Sequence, residues 1–331
     1  MTQAEEPRLE RVVVLEGGIS SEREVSLLSG RGVKEALASK GLEVESWDPA
    51  VDSVGGLEEG AYDAAFIALH GTLGEDGSVQ GLLNCIGLPY TGPGVTASAI
   101  AMDKELTKNI WRANGISVPA GVRLTAAASD AELERAIAEF GADGVVVKPG
   151  HDGSSIGVTK LDRDALSLHS LRAALNAAAE RDAAEVLVEE YIHGREFTVA
   201  ILDGKALPVI EICAPEGSYD FQNKYYTDVV RYECPAKLPE ASAKALAAAC
   251  EKAFAVLGCR GWSRVDALER ADGTFALLEI NTSPGMTPHS LVPMAARAVG
   301  LSYADLCLRV LGLARTDIAL SLIHISEPTR H

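Results

Sequence analysis

The sequence predicts an α/β domain built on a doubly wound parallel sheet, followed by α+β regions, and three observations predict it. Apolar Val12-Val13-Val14-Leu15 runs into Gly17-Gly18, and strand and helix signals then alternate through residues 1–95. Strand alternating with helix builds a parallel sheet covered on both faces, with ligands bound at the carboxyl ends of the strands. From Asp103 onward the pattern changes, and helices and strands come in clusters. Late in the chain, Asp272-Gly273 separates two strands of alternating apolar residues, the pattern of a tight hairpin turn.

In chain order, the first strand ends at Gly17-Gly18. Ser21 with Glu24 three residues on has the spacing of a capping box, so the first helix is expected to start there. Leu42 to Trp47 and Ala64 to Leu69 are the next strands, the second leading into His70-Gly71. Gly87 to Gly94, rich in Gly and Pro, reads as the first linker and closes an N-terminal domain at 1–95. A central domain at 96–191 carries a helix from Asp103 to Asn114, an Ala-rich helix near 130–140, the strand Val145 to Pro149 and a glycine-serine loop at 150–157. A second Ala-rich helix near 164–180 and the strand Glu185 to Tyr191 complete it. The region 192–314 holds strands Phe197 to Leu202 and Ala206 to Cys213, turned by Asp203-Gly204, then an aromatic loop from Tyr219 to Tyr232. A helix at 239–257, the late hairpin and two terminal helices follow. Residues 315–331 are a tail, of which Leu320 to Arg330 looks like the translation of a sequencing adapter and is set aside as an assembly artefact.

The hairpin carries the first chemistry. With Asp272 and Gly273 as the turn, Asp266 faces Glu279 and Arg264 faces Asn281. Side chains alternate along a strand, so these four share one face, and Val265, Ala267, Ala276, Leu278 and Ile280 share the other. Opposed like charges about 5 Å apart destabilise a sheet, so two facing carboxylates with an amide oxygen beside them point to a divalent cation. Oxygen donors alone favour Mg²⁺ or Mn²⁺ over zinc. The plain alternative is a solvated polar sheet face.

Composition sets bounds. Lys and Arg number 30 against 47 Asp and Glu, a net charge of −17. That argues against nucleic-acid partners and against adhesion to anionic membranes. No apolar run approaches the length of a membrane span, and the acidic Met1 to Glu10 is no secretory signal. The six scattered cysteines, with no CxxC pair, read as reduced thiols of a cytoplasmic protein.

Several loops suit anions. Lys148-Pro149 precedes Gly150-His151-Asp152-Gly153-Ser154-Ser155-Ile156-Gly157, where glycines let backbone N–H groups approach phosphate and the serines add hydroxyl donors. It is not a P-loop, because the GxxxxGK[ST] order is absent. Lys104 and Lys224 are further phosphate candidates. Glu189, ending an apolar strand, and Glu196 are placed to accept from an adenine amino group or a ribose hydroxyl. Gly285 offers a backbone N–H as an oxyanion donor, and Ser290, near a helix start, suits a carboxylate. Taken singly, the glycine-serine loop is equally an ordinary surface loop, and the others read better as surface lysines, strand ends and a helix-entry loop.

Together the motifs resemble ATP-grasp enzymes, and specifically the D-alanine–D-alanine ligases, over about residues 11–314. The marks are Gly17-Gly18-x-Ser20-x-Glu22-x-x-Val25-Ser26, Leu69-His70-Gly71 with Gly74-Glu75-Asp76-Gly77, and Tyr90-Thr91-Gly92-Pro93-Gly94 leading to Met102-Asp103-Lys104. Lys148-Pro149 with Gly153-Ser154-Ser155-x-Gly157, Lys224-Tyr225, Gly261-Trp262-x-Arg264-x-Asp266 and Glu279-x-Asn281-Thr282-Ser283-Pro284-Gly285-Met286-Thr287 complete the set.

The resemblance implies an ATP-grasp fold preceded by the doubly wound domain, and ligation of two D-alanines for peptidoglycan synthesis, with ATP and two Mg²⁺ or Mn²⁺ ions as cofactors. Lys104, Lys148 and Lys224 would hold phosphates, with Ser154 and Ser155 in the loop. Glu189 would meet adenine, and Glu196 the ribose. Asp266, Glu279 and Asn281 would bind the metal ions. Glu22 would pair with the first D-alanine's ammonium, with His70 nearby. Arg264 and the Gly285 N–H would stabilise the oxyanion, and Ser290 would hold the second substrate's carboxylate. Tyr225, Ser154 and Glu22 would form a triad closing the aromatic loop, and a homodimer is what the family suggests. Three positions depart from the pattern: Glu16 before the glycine pair, Gly150-His151 at the phosphate loop, and Pro288 before His289. Another ATP-grasp ligase, including one joining D-alanine to D-lactate, and an ATP-binding regulatory module without turnover are the alternatives.

Overall fold

The computed structural model describes residues 9–150, 157–180, 186–214 and 230–317. Parallel strands β1 (Arg11–Leu15), β2 (Glu43–Trp47) and β3 (Ala64–Ile67) form a three-stranded sheet in the order β2-β1-β3. A parallel strand buried on both faces reads as a continuous apolar run. Val12 and Val14 accordingly enter one core cluster, and Val13 and Leu15 enter another on the opposite face. Helix α1 (Arg23–Ser39) follows β1, with Glu22 as its N-cap residue and no side-chain cap bond. The expected Ser21–Glu24 capping box is therefore not formed. Ser20 Oγ takes the Glu22 N–H at 3.2 Å instead, which leaves the Glu22 carboxylate outside the cap.

Helices α2 (Gly55–Glu59), α3 (Ser78–Ile86) and α4 (Val95–Met102) complete the first region. The glycine-proline stretch at 87–94 is not a loose linker. Tyr90 is fully buried and bridges Ala65 on one side and Arg315 on the other. Asp317 accepts hydrogen bonds from the Val95 N–H at 2.9 Å and the Tyr90 hydroxyl at 3.0 Å, so the fold reaches at least residue 317. The adapter-like segment at 320–330 lies outside the described residues.

Helix α5 (Lys104–Ala113) is capped by Asp103, whose carboxylate accepts from the N–H groups of Glu105 and Leu106. Its Trp111 is fully buried and donates to the Ala253 carbonyl at 3.0 Å. This end of the expected central region thus packs into the core of the third sheet. An antiparallel four-stranded sheet, β4-β7-β5-β6, is made of β4 (Gly121–Leu124), β5 (Gly144–Pro149), β6 (Thr159–Asp162) and β7 (Val186–Glu190). Helices α6 (Asp130–Phe140) and α7 (Leu168–Ala179) pack on it.

The six-stranded antiparallel sheet runs β11-β10-β8-β12-β13, with β9 paired to β8. It comprises β8 (Glu196–Leu202), β9 (Lys205–Ala206), β10 (Ile210–Cys213), β11 (Arg231–Glu233), β12 (Trp262–Glu269) and β13 (Phe275–Asn281). The expected strand from Ala206 to Cys213 is split around Leu207-Pro208-Val209, since proline has no N–H for the ladder. Helix α8 (Glu240–Val256) covers one face. Helices α9 (Leu291–Ala298) and α10 (Tyr303–Leu311) pack between this sheet and the first one.

The hairpin β12–β13 corrects one expectation and keeps its consequence. The Gly273 N–H bonds the Arg270 carbonyl, and the Arg270 N–H bonds Thr274, so the loop has one residue more than a two-residue turn. Gly273 supplies the left-handed φ of +81° that ends such a loop. An irregularity between Asp266 and Ala267 then adds one residue on β13, so Ala267 faces Leu277 but Asp266 faces Glu279. The two shifts cancel, and the expected pairs Asp266–Glu279 and Arg264–Asn281 are both present. Leu277, not Leu278, enters the core beside Val265, Ala267 and Ile280.

Candidate active site

The carboxyl ends of β1 and β3 lie side by side and are sewn together by serines. Ser26 Oγ donates to the Ala68 carbonyl at 2.8 Å and accepts the Gly17 N–H at 2.8 Å. Ser20 Oγ donates to the His70 carbonyl at 2.7 Å. Gly17 holds φ +81°, and a Cβ there would stand 2.3 Å from Asp48 Oδ2, so both conformation and space demand glycine. Glu16, the departure before it, is buried. Lys34 donates to its Oε1 at 2.6 Å, and its other oxygen sits where a Cβ on Gly30 would fall at 1.9 Å. Lys34 and the bare Gly30 accommodate the substitution locally.

Glu22 and His70 are both buried at this junction, and the Glu22 charge acts on the His70 ring. Burial pushes the His70 imidazole below its ordinary value, against the pull of Glu22. The neutral ring is consistent with its bonds: Nδ1 lies 2.7 Å from the Ser283 carbonyl, and Nε2 lies 3.2 Å from Ser29 Oγ. Ser29 Oγ in turn accepts the Met286 N–H at 3.2 Å. Glu75 accepts from the Gly71 N–H at 2.7 Å and the Ser283 N–H at 3.2 Å. Its enclosure and the nearby Glu22 raise its carboxyl to about 8. Three side chains of the first domain thus fix the loop that carries Gly285. Glu75 lies inside the Gly-Glu-Asp-Gly run and Ser29 in the middle of a helix, and sequence alone assigns neither a role.

On the hairpin face, Arg264 donates twice to Asp266, at 2.9 and 2.7 Å, and the Thr198 hydroxyl adds a third bond at 2.6 Å. Asn281 lies 3.4 Å from the same carboxylate. Lys104 Nζ stands 3.4 Å from Glu279. The opposed carboxylates are thus matched by Arg264 and Lys104 as well as by any cation. Among the described residues no three His, Cys, Asp or Glu side chains cluster as metal ligands. The donor set here is two carboxylates and one amide oxygen. Such hard oxygen donors fit Mg²⁺ or Mn²⁺, provided Arg264 shares Asp266 and Lys104 shares Glu279.

A cleft lined by Gly71, Glu75, Lys104, Glu279, Asn281 and Thr282 joins this face to the first domain. Lys148, on β5, donates to Glu189 Oε2 at 2.7 Å. Burial opposes its charge, but Glu189 and Glu279 hold the ammonium above its ordinary value. Lys108, on α5, bonds the other oxygen of Glu189. Burial alone would raise the Glu189 carboxyl, yet the two lysines hold it down at about 2. Ser290 is the N-cap residue of α9, and its Oγ accepts the Thr287 N–H at 3.0 Å. A Cβ on Gly285 would lie 3.1 Å from that oxygen, so these two residues adjoin. Glu196 begins β8, paired with Ile212 and Leu268. Ser154, Ser155, Lys224 and Tyr225 lie outside the described residues.

Family models described as D-ala D-ala ligase N-terminus and D-ala D-ala ligase C-terminus match residues 42–93 and 110–312. A D-alanine–D-alanine ligase of Acidovorax ebreus (strain TPSY) is 52% identical over 314 residues, covering 93% of this chain and 92% of its own. The chain belongs to the D-alanine–D-alanine ligase family. A D-alanine–D-alanine ligase of Delftia acidovorans (strain DSM 14801 / SPH-1) is 50% identical, with 96% of each chain covered. The crystal structure of the Bacillus anthracis D-alanine–D-alanine ligase complexed with ATP superposes with a TM-score of 0.78 at 33% identity. It covers 92% of this chain and 97% of that one. The ATP-grasp expectation is borne out by this match, in which the two antiparallel sheets follow the parallel one.

Proposed function

We propose that this chain joins two D-alanines into D-alanyl-D-alanine at the expense of ATP, releasing ADP and phosphate, for peptidoglycan synthesis in the cytoplasm. The observation that carries the reading is the hairpin register. It sets Asp266, Glu279 and Asn281 beside Arg264, with Lys104 in contact, in a chain of this family.

A carboxylate does not acylate an amine, because oxide is too poor a leaving group. Transfer of the ATP γ-phosphoryl to the first D-alanine's carboxylate makes an acyl phosphate, and the second D-alanine's amine then displaces phosphate. Lys104 and Lys148 hold the phosphates, joined by Lys224 and the 150–157 loop with Ser154 and Ser155. Glu189 meets adenine and Glu196 the ribose. Asp266, Glu279 and Asn281 would hold two Mg²⁺ or Mn²⁺ ions, which neutralise charge on the transferring group. Glu22 takes the first substrate's ammonium, with the neutral His70 beside it. Arg264 and the Gly285 N–H stabilise the tetrahedral oxyanion. Ser290, at the positive end of α9, takes the second substrate's carboxylate. Tyr225 closes the aromatic loop through Ser154 and Glu22, excluding water that would hydrolyse the acyl phosphate. A homodimer fits the family.

Phosphate release with ATP and Mg²⁺ tests the reading, comparing D-alanine alone, L-alanine, and D-alanine plus D-lactate, with the products separated. Dipeptide from D-alanine is the expected product. Depsipeptide as the main product would move the chain to the D-lactate-using alternative, and no phosphate release would refute ligation.

A further inference from the structure

We propose that Lys108 is a positioning residue for the nucleotide: it holds Glu189 in place so that Lys148 is free to leave Glu189 for the phosphates. The proposal rests on the reading of Lys148 as a phosphate ligand and concerns a residue to which that reading gives no part.

Lys104 and Lys108 are four residues apart on α5, one turn along the same face. The first reaches Glu279 and the second reaches Glu189, so one helix supplies a lysine to each of the two carboxylates. The Lys108 side chain is 2% exposed and Glu189 4%, while Lys148 is 12% exposed and also feels Glu279. Burying an ammonium is costly, and a cation with no task beyond packing is replaceable by an apolar side chain of similar volume. One lysine would suffice to satisfy Glu189. Burial holds the Lys108 ammonium down to about 7, against the pull of Glu189, so a second lysine is kept here at a cost. A polyanion attracts the more exposed lysine, Lys148. Glu189 would then be a buried carboxylate without a counter-charge, were Lys108 not there to keep it ionised and fixed. Lys108 therefore acts through Glu189 and Lys148 and touches no substrate.

Isothermal titration of the full chain with ADP and Mg²⁺ tests this without any turnover. Lys108→Met should weaken ADP binding by about tenfold or more, since Glu189 then retains Lys148 as its sole buried partner. The KM for ATP should rise in parallel while that for D-alanine is unchanged. Adding Glu189→Gln to Lys108→Met releases Lys148 again and should recover most of the loss measured with Mg²⁺ and tripolyphosphate, a ligand with no adenine to meet Glu189, a rescue that a packing role would not give. ADP affinity within about twofold of wild type in Lys108→Met, or no recovery in the double variant, overturns the proposal. Should Lys108→Met fail to fold, the double variant decides alone: it carries a neutral pair of similar length and must bind tripolyphosphate, which has no adenine to meet Glu189, nearly as wild type does. Lys148→Met is the reference. If it binds ADP like wild type, the phosphate reading itself has failed, and this proposal falls with it. If Lys148→Met is defective and Lys108→Met is not, only the proposal falls.

Discussion

At the hairpin end of the site, Asp266 and Glu279 are matched by Arg264 and Lys104, two acids against two bases. At the other end, Glu189 alone faces Lys108 and Lys148, one acid against two bases. Glu279 is 27% exposed at the first end, whereas at the second Glu189 is only 4% exposed and Lys148 12%. The difference assigns opposite appetites to two clusters of similar composition. The balanced end can admit a cation only together with anionic ligand oxygens, as in a metal–polyphosphate complex. The end with two lysines to one acid has an amine to offer an anion while the other stays on Glu189.

The contrast can be broken most severely at the balanced end. Asp266→Asn should lower ligation on the order of 100- to 1,000-fold with the melting temperature nearly kept, because it removes a proposed metal ligand and Arg264's partner together. Near-normal phosphate release at ordinary Mg²⁺ would sink the metal assignment. Lys148→Met should act differently, raising the ATP KM by roughly tenfold while kcat falls less, since charge attraction and not the reacting face is lost. An equal fall in kcat with KM unchanged would erase the distinction between the ends.

Glu75, which lines the cleft with Glu279, sharpens the comparison through pH. Its carboxyl is raised to about 8 in the folded chain by burial and by Glu22, so the folded state binds its proton more tightly than the unfolded chain does. Its contribution to stability is complete below the ordinary carboxylate value and is lost as pH rises toward about 8. Glu75→Gln cannot titrate, and the fall in melting temperature from about pH 5 to about pH 9 should be smaller than in wild type. A fall as large as wild type's would assign the pH dependence to other groups. The smallest effect belongs to the tail. Removing residues 320–331 should leave melting temperature and turnover unchanged, and a loss of several degrees would show that the adapter-like segment packs.

What sequence could reach follows from distance along the chain. The Asp266–Glu279 pairing was legible because alternation and an Asp-Gly turn are local, although two one-residue errors had to cancel. The buried run of β1 was legible for the same reason. The start of α1 was misplaced because the serine that should have capped it is passed over in favour of Ser20, which is tied to His70 across 50 residues. Lys108 was invisible: a lysine in mid-helix looks solvated until a strand 81 residues away supplies Glu189. Glu75 was hidden similarly, since its partner Ser283 lies 208 residues downstream.

The loop from Ser283 to Met286 is held by Ser29, His70 and Glu75, all from the first domain. This limits how the protein can be cut and rejoined. A chimaera that kept residues 96–317 but took its first domain from a distant ligase could fold, bind nucleotide and still misplace the Gly285 N–H. The unit that can be exchanged intact is therefore larger than either nucleotide-gripping sheet, and a compatible donor must bring side chains that dock Ser283 and Met286 in the same way.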